Sequence, residues 1–264
     1  MSGARAGTAL ITGASGGIGL ELARVFAEHG HDLVLVARSV EKLEALAAEL
    51  EARHPIRARA LAADLREPEA PARIESSVAG ETIDVLVNNA GFGLLGPFAT
   101  TDLAAERDMI QVNVTALVEL TRRFLPGMVD RRRGRILNVA STAAFQPGPL
   151  MSVYYASKAF VLHFTEALAT ELAGTGVTAT ALCPGPTATG FQAAARMGRI
   201  PLVRGPLMMD PTTVARVGYD GLMRGRRIVI PGLLNSLLVQ GVRLAPRRLA
   251  AAVVRRLQEQ RQPR

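Results

Sequence analysis

The sequence predicts an open α/β fold in which a parallel sheet is covered by helices on both faces, and three observations carry that prediction. Short β-rich apolar runs alternate with longer stretches of helical period from the first residues almost to the end. The runs are apolar at consecutive positions, as strands buried on both faces must be. With 264 residues, 48% of them hydrophobic and 20% charged, the chain can fill one sizeable core, and it shows no repeat or low-complexity linker.

Strands are expected at residues 8–12, 33–37, 58–62, 85–88, 135–139, 178–183 and 227–230, seven in all, which suits a doubly wound sheet. Between them, residues 17–29, 40–52, 68–78, 103–130, 154–174 and 212–221 have helical period. The fourth of these helices should break near Asn113, and Asp210 followed by Pro211 marks the start of the last. Residues 189–209 have no clean period and contain Gly198, Pro201, Gly205 and Pro206, so they read as a long loop or lid. Residues 1–232 thus form the main domain and residues 233–264 a C-terminal helical extension.

The formal charge of +8 suggests nucleic acid until its placement is considered. From Arg224 to Arg264 ten arginines face Glu259 alone, a net of +9, which leaves the first 223 residues at −1. Only Lys42 and Lys158 are lysines, against 29 arginines, so each lysine merits individual scrutiny. Cys183 is the sole cysteine, which rules out a disulfide scaffold and fits a reducing compartment. No run approaches the roughly 20 apolar residues of a membrane span, and the N-terminus does not read as a secretory leader. A cytoplasmic location is the expectation. The four histidines lack metal-ligand spacing, so no metal site is expected.

The first strand runs into Thr12-Gly13-Ala14-Ser15-Gly16-Gly17-Ile18-Gly19 and then at once into a helical pattern with Leu22, Val25 and Phe26. Strand, glycine turn and helix together make a dinucleotide fingerprint: glycines let the backbone approach a pyrophosphate, and the N–H groups and dipole of the helix start favour the anion. At the end of the second strand an acidic residue would hold the free 2′-hydroxyl of NAD. The chain has Arg38 and Ser39 there, which suit a 2′-phosphate and point to NADP(H). The plainer alternative is an Arg38 that merely opens the next helix in solvent.

Later segments complete a pattern that resembles the short-chain dehydrogenase/reductase superfamily: Asp64 after strand three, Asn88-Asn89-Ala90-Gly91 after strand four, Asn113, Ser141, Tyr154-Tyr155-Ala156-Ser157-Lys158 and Pro184-Gly185. The resemblance covers residues 7–232 and implies a Rossmann-type domain. It implies that Asp64, with Leu65, contacts the adenine and that Asn88, Ala90 and Gly91 line the cofactor crevice. Pro184 and Gly185 would follow on its other side, with Thr187 and Thr189 near the nicotinamide amide and phosphates. Pairing of the helices at 115–130 and 154–174 would give a homodimer or homotetramer.

The chemistry can be read beside that resemblance. Hydride transfer to a carbonyl leaves an alkoxide that needs a proton donor and a polarising hydrogen bond. Tyrosine is a plausible acid, but its ordinary pKa near 10 is high, and a nearby cation would lower it. Tyr154 and Lys158 stand four apart and share a helix face. Ser141 would hold the substrate oxygen, and Asn113 would support a water leading from Lys158 to solvent, the roles the resemblance assigns. Tyr155, three residues before Lys158, is the rival acid; the family motif selects Tyr154. An ordinary amphipathic helix face accounts for the two tyrosines and the lysine taken alone.

Candidates for the substrate wall are apolar: Phe92, Leu94, Leu95, Phe145, Pro147 and Leu150, then Met151, Val153 and Phe191, then Met197, Ile200, Leu202, Met208 and Met209. They favour an apolar carbonyl or alcohol substrate, steroid-like, long-chain or 3-oxoacyl. Arg196, Arg199 and Arg204 could meet a carboxylate or phosphate on a carrier, solvated loop charges being the plainer reading. Beyond residue 232, Leu233, Leu234, Leu237, Leu238, Val242 and Leu244 have helical spacing, and Pro246 opens a second segment with Leu249, Val253 and Leu257 flanked by arginines. Such a cationic amphipathic tail lies on an anionic bilayer or packs on protein. It lacks the interleaved aromatics of a nucleic-acid binder. The contrasting function is a non-catalytic NADP(H)-sensing protein recruited to a surface by this tail; the intact set of reactive residue types argues against it.

Overall fold

The computed structural model describes residues 6–191, 195 and 208–259, without the side chains of Arg243 and Leu244. Seven parallel strands, β1 (Thr8–Thr12), β2 (Asp32–Ala37), β3 (Ala58–Ala62), β4 (Ile83–Asn88), β5 (Gly134–Val139), β6 (Val177–Leu182) and β7 (Ile228–Val229), form one sheet in the order β3-β2-β1-β4-β5-β6-β7. The strand order reverses at β1, which pairs with β2 on one side and β4 on the other. Ligands of doubly wound sheets sit at the carboxyl ends of the strands around such a switch point.

Alternation along the strands divides the core in two. Ile11, Leu33, Leu35, Val85 and Val87 face α1 (Gly17–Glu28), α2 (Val40–Arg53) and α7 (Pro211–Met223), packing with Leu22, Phe26, Leu43 and Leu222. Leu10, Val34, Val36, Leu86 and Ile136 face the opposite layer of α3 (Ala70–Ser77), α5 (Ala116–Asp130) and α6 (Ser152–Glu171), where Ile74, Leu120 and Leu168 meet them. The central strands are therefore buried on both faces, the reason they read as apolar runs, while the edge strand β3 is only partly covered.

The expected break near Asn113 is a π-helical turn, Gln111–Thr115, between α4 (Leu103–Ile110) and α5. It turns Asn113 inward, where it is 1% exposed. The helix expected from residue 68 starts at Ala70. Strand β7 is shorter than expected, and β6 ends before Cys183, which is buried. Most of the expected lid, residues 192–194 and 196–207, lies outside the described residues, and with it Arg196, Met197, Arg199, Ile200, Leu202 and Arg204. Two helices close the chain, α8 (Leu233–Leu244) and α9 (Arg247–Glu259). Among the described residues no helix is long and apolar enough to cross a membrane.

Candidate active site

A cavity of about 1190 Å³ opens at the carboxyl ends of the strands and runs from the glycine turn to the C-terminal helices. Gly13, Ser15, Gly16, Gly17 and Ile18 form one end. Gly13 has φ +69°, a left-handed conformation that side chains rarely adopt. Gly19 does not line the cavity: it lets α1 press against the turn, since a Cβ there would lie 2.3 Å from the Gly13 carbonyl oxygen. The Asn89 Nδ2 donates to the carbonyls of Thr12 (2.9 Å) and Gly13 (3.3 Å), and Thr12 Oγ1 accepts the Asn89 and Ala90 N–H groups. Strand β4 thereby fixes the turn that follows β1.

At the end of β2, Arg38 and Ser39 line the cavity, with Asp64, Leu65 and Arg66 beside them. The Arg66 guanidinium binds the Asp64 carboxylate and, with the charge of Arg38, holds it below the usual carboxylate range. This end contains two exposed arginines, Arg38 and Arg66, and two carboxylates, Asp64 and Asp108, both paired with Arg66. Its donor set fits an anionic ribose substituent, and the open turn fits a pyrophosphate, so the residues present fit a nicotinamide dinucleotide.

The other wall begins with Asn89, Ala90 and Gly91. Asn88, expected on the crevice, is not there: it lies 3% exposed inside the protein and donates to Thr121 Oγ1 (3.1 Å) and Asn138 Oδ1 (2.9 Å). Asn138 donates onward to Thr165 Oγ1 on α6 at 2.9 Å. Asn88 therefore belongs to a buried network tying β4 and β5 to α6, and Asn89 holds the place assigned to it.

On α6 the side chains of Tyr154 and Lys158 reach the cavity together, with Lys158 Nζ 5.9 Å from the Tyr154 ring centroid. Lys158 is 5% exposed, and its ammonium donates to the Val139 carbonyl at 2.8 Å. Burial lowers its pKa to about 8. Ser141, just after β5, accepts the Ala143 N–H at 3.1 Å and donates to the Pro184 carbonyl at 3.5 Å. Tyr154 keeps some surface toward the cavity, yet crowding around its hydroxyl raises the phenol pKa, and the polar Ser141 side chain only partly opposes this. The sequence expectation was a pKa lowered by Lys158; the protein alone gives the opposite direction, because desolvation of the phenol dominates.

Asn113 holds this wall together rather than lining it. Its Oδ1 accepts the Phe92 N–H (3.1 Å), and its Nδ2 donates to the Phe92 carbonyl (3.0 Å) and Ser157 Oγ (3.0 Å). A Cβ on Gly91 would lie 3.0 Å from Asn113 Oδ1 and 3.3 Å from Lys158 Nζ, so Gly91 leaves just enough room for both. Tyr155 turns away from Lys158: its ring occupies the space beside Gly148, and its hydroxyl accepts from Gln258 Nε2 at 3.3 Å. Pro184, Gly185, Thr187 and Thr189 complete the wall, with Thr187 Oγ1 bonded to the Gly185 carbonyl at 3.0 Å.

Of the expected substrate wall, Phe92, Phe145, Met151 and Phe191 line the cavity; Leu94, Leu95, Pro147, Leu150, Val153, Met208 and Met209 do not. Much of the remaining apolar lining comes from α8 and α9, including Leu237, Leu238, Leu249 and Val253. Sequence reasoning had placed these in a separate tail. The signal available was Gln258, a polar residue in register with Ala250 and Val254 on the buried face of α9.

The family model described as short chain dehydrogenase matches residues 7–199. Relatives include a short chain dehydrogenase of Pseudocercospora fijiensis, 40% identical over 67% of this chain and 59% of that protein. The human very-long-chain 3-oxoacyl-CoA reductase is 34% identical over 67% and 58%. The chain thus spans about three fifths of the length of these curated relatives. Among solved structures, a short-chain dehydrogenase from Sphingobium yanoikuyae in complex with NADPH superposes with a TM-score of 0.81 at 36% identity, covering 90% of this chain and 93% of that one. A 3-oxoacyl-[acyl-carrier protein] reductase from Brucella melitensis with bound NAD gives 0.72 at 28%, covering 86% and 89%. The glycine turn, the Ser141–Tyr154–Lys158 cluster and the matched residues agree, and the chain belongs to the short-chain dehydrogenase/reductase family.

Proposed function

We propose that this chain interconverts a carbonyl and an alcohol on an apolar substrate, using NADP(H), with Tyr154 as acid and base. One observation carries the reading: Tyr154, Lys158 one helical turn away, and Ser141 together line a cavity that starts at the glycine turn. When bound, the nicotinamide supplies or accepts the hydride, and its oxidised form adds a positive charge. In reduction, Ser141 donates a hydrogen bond to the carbonyl oxygen and polarises it. Tyr154 gives its proton to the oxygen as the alkoxide forms, leaving a phenolate that Lys158 stabilises. Asn113 positions the Phe92 backbone and Ser157 behind this pair.

NADP is favoured over NAD by Arg38 and Ser39 at the end of β2, and by the NADPH-bound Sphingobium relative. Residues 1–232 serve as the catalytic domain, and residues 233–264 as an extension from which Leu237, Leu238, Leu249 and Val253 wall the cavity. Apolar lining on both sides, and a relative named for 3-oxoacyl-CoA reduction, support long-chain or polycyclic carbonyls. A homodimer or homotetramer through α5 and α6 accords with the exposed Phe160, stacked on the half-buried Phe164.

The test is oxidation of NADPH and NADH by purified protein against apolar ketones, aldehydes and 3-oxoacyl compounds, with Arg38→Asp alongside. Turnover with NADPH, shifting toward NADH in the variant, is expected. NADPH binding without turnover across the panel would replace this reading with the cofactor-sensing one, and a wild-type preference for NADH would remove the role given to Arg38.

A further inference from the structure

Among the described residues twelve large hydrophobic side chains are exposed, and seven of them lie on α8 and α9: four leucines of α8, and Leu249, Val253 and Leu257 of α9. Helix α9 divides into three sectors. Ala250, Val254 and Gln258 are buried; Leu249, Val253 and Leu257, each one residue away from these, are 57%, 51% and 43% exposed; and Arg247, Arg248, Arg255 and Arg256 are exposed around them. Solvent-facing apolar patches of this extent are rare on monomers and mark interaction surfaces.

This patch is also the rim of the catalytic cavity, because Leu237, Leu238, Leu249, Val253 and Leu257 line the space that Tyr154 faces. The bond from Gln258 to Tyr155 ties α9 to the catalytic helix beside Tyr154. Resting on the function proposed above, we propose that the α8–α9 face seats on the surface of an anionic phospholipid bilayer and that the cavity draws its apolar carbonyl substrate directly from that leaflet.

Charge complementarity selects this occupant. Residues 224–264 carry a net +9, and their single acidic residue, Glu259, is held by Arg255 at 2.6 Å. Arginines around an apolar stripe match lipid phosphates around acyl chains. A second copy of the chain meeting this face would bring one arginine cluster against another. At 12 and 13 residues the two helices are too short to span a bilayer, which leaves an interfacial orientation.

The experiment measures partitioning of the full chain onto vesicles of phosphatidylcholine, alone or mixed with phosphatidylglycerol, at low salt and at about 0.5 M salt. Two double variants accompany it: Leu233→Gln with Leu234→Gln, which do not line the cavity, and Arg247→Glu with Arg248→Glu. Salt-sensitive binding to the anionic vesicles, reduced about tenfold or more in each variant, is expected. In the leucine variant, NADPH-dependent reduction of a carbonyl dissolved in the vesicles should fall about as far, while reduction of a water-soluble carbonyl stays unchanged. Vesicle binding is read without turnover, so it stands or falls independently of the reductase reading. Absence of binding at low salt, or undiminished binding by both variants, overturns the proposal. So does equal loss of both reductions, tighter binding to single-stranded RNA than to anionic vesicles, or self-association that the variants abolish.

Discussion

Lys158→Met isolates what burying the ammonium costs the protein. In the folded chain its pKa is about 8 against an ordinary 10.5, so between those values the unfolded chain holds more protons and stability rises with pH. Below pH 8 the charged, buried ammonium imposes the full penalty, roughly 3 kcal/mol from the gap between the two pKa values. By pH 10 most of it is gone, and the change between pH 7 and pH 10 is about 2–3 kcal/mol. Methionine keeps much of the side-chain length but leaves the Val139 carbonyl without the 2.8 Å bond, a cost that does not depend on pH. The difference between wild type and variant is therefore the informative quantity, since other titrations cancel in it. Urea unfolding of both proteins at several pH values should show the wild type gaining about 2–3 kcal/mol on the variant from pH 7 to pH 10. A difference that stays flat would refute the claim that Lys158 is desolvated.

Three further outcomes follow from other parts of the molecule. Gly19→Ala places a Cβ 2.3 Å from the Gly13 carbonyl oxygen and must open the turn; NADPH affinity, read by fluorescence titration, should fall about tenfold or more, and an unchanged Kd would contradict the fit of that turn to a pyrophosphate. His31 is 1% exposed, edge-on to Phe26 and bonded to Tyr219, and burial lowers its pKa from 6.5 to about 4. The unfolded chain binds the extra proton between those values, so the stability this group contributes above pH 6.5 should be lost as pH falls toward 4, and thermal melts of His31→Phe should lack that component. Asn113→Ala removes three buried hydrogen bonds to Phe92 and Ser157, and a loss of about 2–4 kcal/mol in urea unfolding is expected, against less than about 1 if the residue is peripheral.

The strands and most helix starts were legible because burial on both faces demands uninterrupted apolar runs, and because Asp210-Pro211 and the glycine turn punctuate the chain. The pairing of Tyr154 with Lys158 was legible from spacing, since a four-residue interval on a helix dictates proximity, whereas Ser141 joined them through the family resemblance. Asn88 was not: β4 is buried on both faces, so no polar alternation shows which of two adjacent asparagines turns inward. The destination of α8 and α9 was hidden for a related reason. An amphipathic pattern announces an apolar face but not the surface that receives it, and here that surface is the rim of the active site. The direction of the Tyr154 shift depends on desolvation, which spacing does not encode.

Single-turnover oxidation of prebound NADPH by an apolar carbonyl, followed in wild type, Tyr154→Phe and Tyr155→Phe, tests the central claim most directly. The account predicts a loss of about 10²–10⁴-fold in Tyr154→Phe and a much smaller change in Tyr155→Phe, whose hydroxyl serves Gln258. Loss confined to Tyr155→Phe, or full activity in Tyr154→Phe, would contradict it.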